Sequence, residues 1–183
     1  MKHLLQMNGF LFIMFVICCL PLSYAAAAVP AAAVGLGGLS PYATTDYVKS
    51  VYGAPGYETR IESGEIIYAY GNTTLIYFTT ERRLNGVVKG TNEGSDDLLL
   101  LRRIDTQKGS GLSTPAGVGV GDTEQKVREI YGKPDVQVIA AEDYDSRMMY
   151  VGERSNKDES ICFMTFFVKD GRVVKISCYA TRH

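Results

Sequence analysis

One short sequence pattern occurs twice along the chain, and this duplication limits the possible folds more than any other feature. The two copies read Val51-Tyr52-Gly53-Ala54-Pro55 and Ile130-Tyr131-Gly132-Lys133-Pro134. Their tyrosines are 79 residues apart. Because each copy of an internal repeat is expected to form the same structural unit, the pattern predicts two similar modules, at residues 39–106 and 113–183, joined by a linker at 107–112.

Each copy of the pattern ends a predicted short helix. In the first copy, Thr44 is suited to cap the start of the helix and Gly53 is suited to end it. In the second copy, Asp122 is the predicted cap, because Gln125 three residues later completes a capping box. Helices this short are marginally stable alone, so each is expected to pack against a sheet.

Four runs of strand-forming residues follow each helix. They are Tyr57–Ile61, Glu65–Tyr70, Thr74–Thr79 and Leu98–Ile104, then Val136–Ala140, Arg147–Val151, Ile161–Val168 and Val173–Tyr179. Turn-rich segments join them, without crossover helices, which favours antiparallel pairing. The predicted fold class is therefore α+β, with two repeated modules, each a short helix packed on a four-stranded antiparallel sheet.

Residues 1–25 have the features of a secretory signal peptide. Phe10–Leu20 is an unbroken apolar run, and Ser23-Tyr24-Ala25 places small residues at the cleavage positions. The run of eleven residues would form a helix about 16 Å long, whereas the hydrocarbon layer of a bilayer is about 30 Å thick. We therefore expect cleavage, a periplasmic or secreted protein with no membrane span, and a flexible Ala- and Gly-rich leader at 26–38; an uncleaved anchor is the alternative.

The composition excludes several kinds of chemistry. The two histidines, His3 and His183, lie at the ends of the chain, so catalytic triads and multi-His metal sites lack their central group. The 19 basic and 20 acidic residues leave no cationic excess for nucleic acid. Gly117–Gly121 lacks the flanking strand and long helix of a dinucleotide loop, and Glu142–Asp145 lacks the ligand spacing of a calcium loop. We expect no catalytic residue, cofactor or metal.

The predicted pairing of the last two strands brings two cysteines close together. Lys169-Asp170-Gly171 fits a two-residue turn or a three-residue loop with Gly171 as a left-handed bulge. The bulged loop separates apolar from polar side chains better, so we favour it. It places Cys162 directly opposite Cys178, within reach of a disulfide. A disulfide of an exported protein and two buried thiols both remain open, and neither has a catalytic role.

Aromatic side chains are expected on the face of the sheet that points away from the helices. If Gly71-Asn72 is a two-residue turn, the register predicts that Ile76 and Phe78 meet the helix. Aromatic anchors with polar neighbours are typical of protein-binding surfaces. The predicted partner-binding residues are Tyr68, Tyr70, Tyr77, Phe163, Phe167 and Tyr179. The alternative is that loops, the leader or a second subunit cover this face.

Several of these features together resemble a known type of envelope module. They are the run Thr114-Pro-Ala-Gly-Val-Gly-Val-Gly-Asp-Thr, then Ile130-Tyr-Gly-Lys-Pro-Asp, and then Lys169-Asp-Gly-Arg-Val. This pattern resembles the outer-membrane assembly lipoprotein (SmpA/OmlA) type, and the duplication resembles the tandem-repeat β-lactamase inhibitory proteins. The resemblance implies two helix-plus-four-strand units whose uncovered face engages a protein. The chain lacks a lipobox and carries no transferable inhibitory residue.

The predicted function is therefore an exported, non-enzymatic protein-binding or scaffold protein. Its partner is expected to be a protein in the envelope or the medium, bound through the outer face of the antiparallel sheet. One alternative is a secreted hydrolase that uses carboxylates such as Asp143 and Asp145. The other is a self-associating structural envelope protein.

Overall fold

The computed structural model describes residues 28–30, 33–62, 65–81, 98–141, 143–153 and 161–181. These residues form, in chain order, α1 (Thr45–Tyr52), β1 (Tyr57–Arg60), β2 (Ile66–Tyr70), β3 (Thr74–Glu81), β4 (Leu98–Gln107), α2 (Glu124–Tyr131), β5 (Val136–Ala141), β6 (Tyr144–Val151), β7 (Ile161–Lys169) and β8 (Arg172–Thr181). The predicted signal peptide at 1–25 lies outside them. No helix within these ranges is long and apolar enough to cross a bilayer.

The eight strands form one sheet, in the order β1-β2-β3-β4-β8-β7-β6-β5, with every neighbouring pair antiparallel. The prediction of two modules, each with its own four-stranded sheet, is wrong. β4 pairs with β8 from Arg103 opposite Tyr179 to Gln107 opposite Lys175. Two separate sheets would leave a long unpaired edge at each of these strands. Pairing them satisfies both rows of backbone groups and makes the sheet continuous.

The two helices begin and end at equivalent residues. The hydroxyl groups of Thr44 and Thr123 each accept a 3.2 Å hydrogen bond from a backbone N–H in the first turn. Gly53 and Gly132 end the helices with φ of 77° and 76°, a conformation that favours glycine. The predicted helices are confirmed, but Asp122 is not the second cap, because its carboxylate accepts hydrogen bonds from the Gly119 N–H and the Lys126 ammonium instead.

One hydrophobic core lies between the sheet and the helices. Val48 of α1 and Val127 of α2 are fully buried in it. The helices contact different ends of the sheet: the Tyr52 ring packs on Tyr70 of β2, and the Tyr131 ring packs on Phe166 of β7. The opposite face of the sheet, called the outer face below, therefore receives neither helix.

The described part of the expected leader belongs to the fold. Val29, Val34 and Leu36 are buried in the core. Val29 also donates a 3.1 Å hydrogen bond to the Val151 carbonyl and accepts one of 2.9 Å from the Glu153 N–H. The expectation of a flexible leader at 26–38 is wrong for residues 28–30 and 33–38, because their apolar side chains fill space between the sheet and the helix layer.

The hairpin between β7 and β8 has a two-residue turn, so the predicted three-residue loop is wrong. Asp170 and Gly171 have φ of 49° and 69°, and Lys169 pairs with Arg172. A β-bulge lies further along the hairpin. Phe167 pairs with Lys175, but the next residue, Val168, pairs with Val173. A two-residue turn without a bulge would place Ile176 and Cys178 on the opposite face of the sheet. The bulge returns them to the core.

Candidate partner-binding groove

The outer face carries three rows of side chains that run across the strands. The strand register defines them. The first row is Tyr77, Arg103, Tyr179 and Phe163; the middle row is Leu75, Asp105, Ser177, Thr165 and Met149; the third row is Gln107, Lys175, Phe167 and Arg147. Side chains two residues apart on a strand share a face, so these rows lie next to one another.

The centre of the middle row is low, because Ser177 and Thr165 have small side chains between two rows of large ones. A groove of about 310 Å³ lies above them. Its lining consists entirely of strand residues: Arg103, Arg147, Met149, Thr165, Phe167, Ser177 and Tyr179. A groove built on paired strands holds its side chains more rigidly than one built on loops.

The first row is ordered by ring contacts. Phe163 and Tyr179 stack with their ring centroids 4.9 Å apart and their planes at 14°. The Tyr179 hydroxyl also donates a 3.3 Å hydrogen bond to the Met149 sulfur. At the other end of the row, the Arg103 guanidinium lies 3.8 Å from the centroid of the Tyr77 ring. These contacts fix the wall of the groove before any partner binds.

The third row forms the opposite wall and borders a second cavity. The Lys175 ammonium lies 5.2 Å from the centroid of the Phe167 ring, and the Tyr144 ring meets Phe167 edge-on at 5.0 Å. The second cavity has a volume of about 390 Å³ and is lined by Gln107, Asp143, Tyr144, Phe167, Val174 and Lys175. Phe167 therefore separates two adjoining cavities.

A buried carboxylate, that of Asp105, lies in the middle row between Leu75 and Ser177. Asp105 is 7% exposed and accepts a 2.7 Å hydrogen bond from the Ser177 hydroxyl. The Lys175 ammonium lies 3.0 Å from one carboxylate oxygen, and the Arg103 Nε lies 3.5 Å from the other. The ion pair with Lys175 compensates the buried negative charge.

Positive charge dominates the groove. Arg103 and Arg147 line the groove, and no Asp or Glu is among its lining residues. The carboxylate of Asp105, next to Ser177, is contacted by Lys175 and Arg103. No ion pair within the described ranges involves Arg147. The chain as a whole carries a formal charge of −1, so the cationic character of the groove is local.

Four of the six predicted partner-binding residues lie on the outer face: Tyr77, Phe163, Phe167 and Tyr179. Tyr68 and Tyr70 lie on the helix side, so their predicted placement is wrong. Tyr68 is 2% exposed, and the Tyr70 hydroxyl donates a 3.1 Å hydrogen bond to the Gly53 carbonyl. The cause is the β2–β3 turn: Tyr70 pairs with Thr74, so the turn has three residues, and every side chain of β2 changes face.

The charged groups of the groove were not among the predicted site residues. The pair Arg102-Arg103 reads in sequence as exposed strand-edge charge. Arg103 and Asp105 are two residues apart in an extended run, so the sequence places them on one face. Their proximity to Ser177 and Lys175 depends on the pairing of β4 with β8, which no local signal indicates.

The predicted disulfide and the carboxylates of the hydrolase alternative are the remaining predicted site residues. In the structure Cys162 lies opposite Ala180 and Cys178 lies opposite Met164, so the predicted cross-strand pair is wrong, and the two residues form no disulfide. Asp143 and Asp145, the carboxylates of the hydrolase alternative, are exposed. No group of three His, Cys, Asp or Glu side chains suited to a metal occurs in the part of the chain that the structure describes.

Comparison with known proteins gives one structural neighbour. No protein-family model matches the chain, and no curated protein matches it. Among solved structures, the chain is similar to a DUF4309 family protein (YjgB) from Bacillus subtilis subsp. subtilis str. 168, with 15% sequence identity and a TM-score of 0.41. The match covers 79% of this chain and 83% of that chain.

Proposed function

We propose that this chain is an exported, non-enzymatic binding protein that holds a protein partner in the outer-face groove. The observation that carries the proposal is the groove itself, a concave strip lined only by strand side chains between two rows of aromatic and cationic residues. Tyr, Phe and Arg are enriched where protein interfaces are most strongly bound. The signal-peptide features of residues 1–25 support export.

Order within the walls also favours binding. The Phe163 and Tyr179 rings are stacked on each other, and Arg103 is held by both Tyr77 and Asp105. Side chains that are already ordered lose less conformational entropy when a partner docks. The groove therefore presents contact area at a low entropic cost.

Site-specific photo-crosslinking tests this proposal. A photoreactive phenylalanine analogue replaces Phe163 in the first row, and in a matched control it replaces Tyr47, which is 50% exposed on α1. The tagged proteins are expressed in the native host, irradiated, and their adducts identified by mass spectrometry. We expect a discrete protein adduct from position 163 that position 47 does not give.

A second substitution links the adduct to the groove. Phe167→Ala removes the wall between the two cavities and should reduce the yield of the adduct from position 163. Thermal unfolding of each variant establishes that it is folded. Identical adducts from positions 163 and 47, or an adduct whose yield does not change with Phe167→Ala, would contradict the proposal.

Self-association is the second candidate function, and a specific observation favours it. β5 is an edge strand of the sheet, and its sequence from Val136 to Ala141 contains no charged residue. Ile139 is 77% exposed. An uncharged apolar edge strand is a template for pairing with another chain.

A further inference from the structure

We infer that the segment held in the groove is an acidic, extended polypeptide whose carboxylates bind the Arg103 and Arg147 side chains. The inference rests on the proposed function and names the chemistry of the partner. It also separates two parts of the site: the aromatic walls supply contact area, and the two guanidinium groups select the charge.

The hydrogen-bonding capacity of the two arginines is the first step. A guanidinium group has five N–H donors. Within the described ranges, the ion pairs of Arg103 are limited to one contact of 3.5 Å from Nε to Asp105, and Arg147 has none. Asp105 already interacts with Lys175 and Ser177. The terminal donors of both arginines are therefore available to a second carboxylate, which guanidinium groups bind in a bidentate manner.

The position of the arginines across the sheet is the second step. Arg103 on β4 and Arg147 on β6 lie in opposite rows, yet both line the same groove. Their strands are three inter-strand steps apart, about 14 Å, and their rows are four residues apart along the strands, about 13 Å, so the diagonal distance between the two backbone positions is about 20 Å. This distance matches about six residues of extended peptide at about 3.3 Å per residue. A segment of that length spans the groove from one arginine to the other.

The apolar lining distinguishes a polypeptide from a small anion. Met149, Phe167 and Tyr179 line the groove together with the arginines. Inorganic phosphate would contact the guanidinium groups and leave these side chains without a partner. A peptide that carries an apolar side chain next to its carboxylate uses both kinds of surface, and burial of the apolar part adds to affinity.

Local charge is the last step. Arg103 and Arg147 line the groove without an acidic residue among its lining, Asp105 beside it is paired with Lys175, and Asp143 borders the adjoining cavity. A cationic groove on a chain of formal charge −1 attracts acidic segments and repels basic ones. Electrostatic complementarity therefore favours an acidic partner over a neutral one of the same shape.

Selection from a random displayed-peptide library tests the inference. The purified protein is immobilised, bound peptides are sequenced, and the affinities of the enriched peptides are measured. We expect enrichment of peptides that carry Asp or Glu beside an apolar residue. Replacing that acid with Asn or Gln in the peptide should weaken binding at least about tenfold, which corresponds to about 1.4 kcal/mol. This arm leaves the protein unchanged, so it does not depend on the folding of a variant.

Variants of the protein locate the carboxylate. Arg103→Gln with Arg147→Gln should weaken binding of the same peptides at least about tenfold. The matched control, Lys49→Gln with Lys133→Gln, removes the same charge from one exposed residue of α1 and one that follows α2 and should change affinity less than about twofold. Arg103→Lys with Arg147→Lys keeps the charge but removes the bidentate donors, so an intermediate affinity is expected.

The outcomes separate failure of the inference from failure of the proposed function. Enriched peptides without an acidic excess, peptides insensitive to the arginine variants, or displacement by equimolar inorganic phosphate would overturn the inference. If such peptides still lose affinity with Phe163→Ala or Phe167→Ala, the groove binds proteins by its aromatic walls alone. If no enriched peptide depends on any outer-face residue, both proposals fail.

Discussion

Asp105 and Ser177 face each other across the junction of β4 and β8, and the Ser177 hydroxyl donates a 2.7 Å hydrogen bond to the Asp105 carboxylate. The Lys175 ammonium lies 3.0 Å from the same carboxylate. This buried network is formed by residues that are 72 positions apart in the chain. It therefore joins the two four-stranded halves of the sheet at its centre.

Removing the charge of Asp105 should destabilise the protein by about 2 kcal/mol, because Asp105→Asn weakens hydrogen bonds to charged groups in a buried site. Urea unfolding followed by circular dichroism measures the change. The control Asp143→Asn alters an exposed carboxylate and should change the free energy of unfolding by less than about 0.5 kcal/mol. Equal stability of the two variants would show that the network does not stabilise the junction.

The close approach of Gly152 to the segment before α1 gives a second prediction. A methyl group at this position would lie 2.9 Å from Val34 Cγ2 and 3.1 Å from the Cys162 carbonyl oxygen. Gly152→Ala should therefore lower the free energy of unfolding by about 2 kcal/mol through overpacking. Gly56→Ala is the control, since its nearest atom is the Ala69 carbonyl oxygen at 3.7 Å. An unchanged free energy of unfolding for Gly152→Ala would argue against tight packing of Val34 against Gly152.

Tyr150 makes the free energy of unfolding of the protein depend on pH in the alkaline range. Burial raises its pKa from the ordinary value of 10.0 to about 12. Between these values the unfolded chain has lost the phenolic proton while the folded chain retains it, so stability falls as pH rises from about 10 to about 12. Below that window the contribution is fully present.

Tyr150→Phe should make the stability less dependent on pH in that window, as measured by urea unfolding at several pH values. The slope should not vanish, because burial also raises the pKa of Tyr131. The variant also loses the 3.1 Å hydrogen bond to the Gly132 carbonyl, so slopes are compared and not absolute stabilities. An unchanged slope would refute the assignment to Tyr150.

Features that depend on local chemistry could be predicted from the sequence. Both helices end at glycines with positive φ, and the first begins after Thr44, as predicted, whereas the cap of the second is Thr123, one residue after the predicted Asp122. These effects involve residues within four positions of one another. The strand runs were predicted for the same reason, since alternation and turn residues are local.

The outer face could be predicted only in part, because one additional residue in a turn moves every side chain of a strand to the opposite face. The β2–β3 turn has three residues where two were expected, so Tyr68 lies in the core and Tyr70 packs against it. On β7 and β8 a shorter turn and a bulge offset each other, and Phe163 and Tyr179 lie on the outer face as predicted. The pairing of β4 with β8 depends on residues far apart in sequence, so the groove was not predictable.

The two cysteines should differ in reactivity. Cys178 is fully buried, and burial raises the pKa of its thiol, so its thiolate fraction is low. Cys162 is half-buried. We expect a maleimide to modify Cys162 before Cys178 in the folded protein, and both in denatured protein without reductant, with the sites located by mass spectrometry. Absence of modification at both sites in denatured protein would indicate a disulfide.

The exposed apolar side chains of the edge strand β5 predict that the protein self-associates through this strand. Val136 and Val138 are 40% and 37% exposed, and Ile139 is 77% exposed. At the other edge, β1 carries Glu58 and Arg60, and charged side chains discourage pairing with another chain. Light scattering across a concentration series should show association of the unmodified protein through β5. Ile139→Lys places a charge on that edge and should reduce the associated fraction at every concentration.

The matched control places the same charge on β1, the edge strand that already carries charged side chains. Thr59→Lys adds the same charge to β1 and should leave association unchanged, because β1 does not take part. Equal effects of the two substitutions would show that total charge controls association. Reduced association with Ile139→Lys alone would assign it to β5 and leave the outer-face groove, which lies on β4, β6, β7 and β8, accessible to its partner in both states.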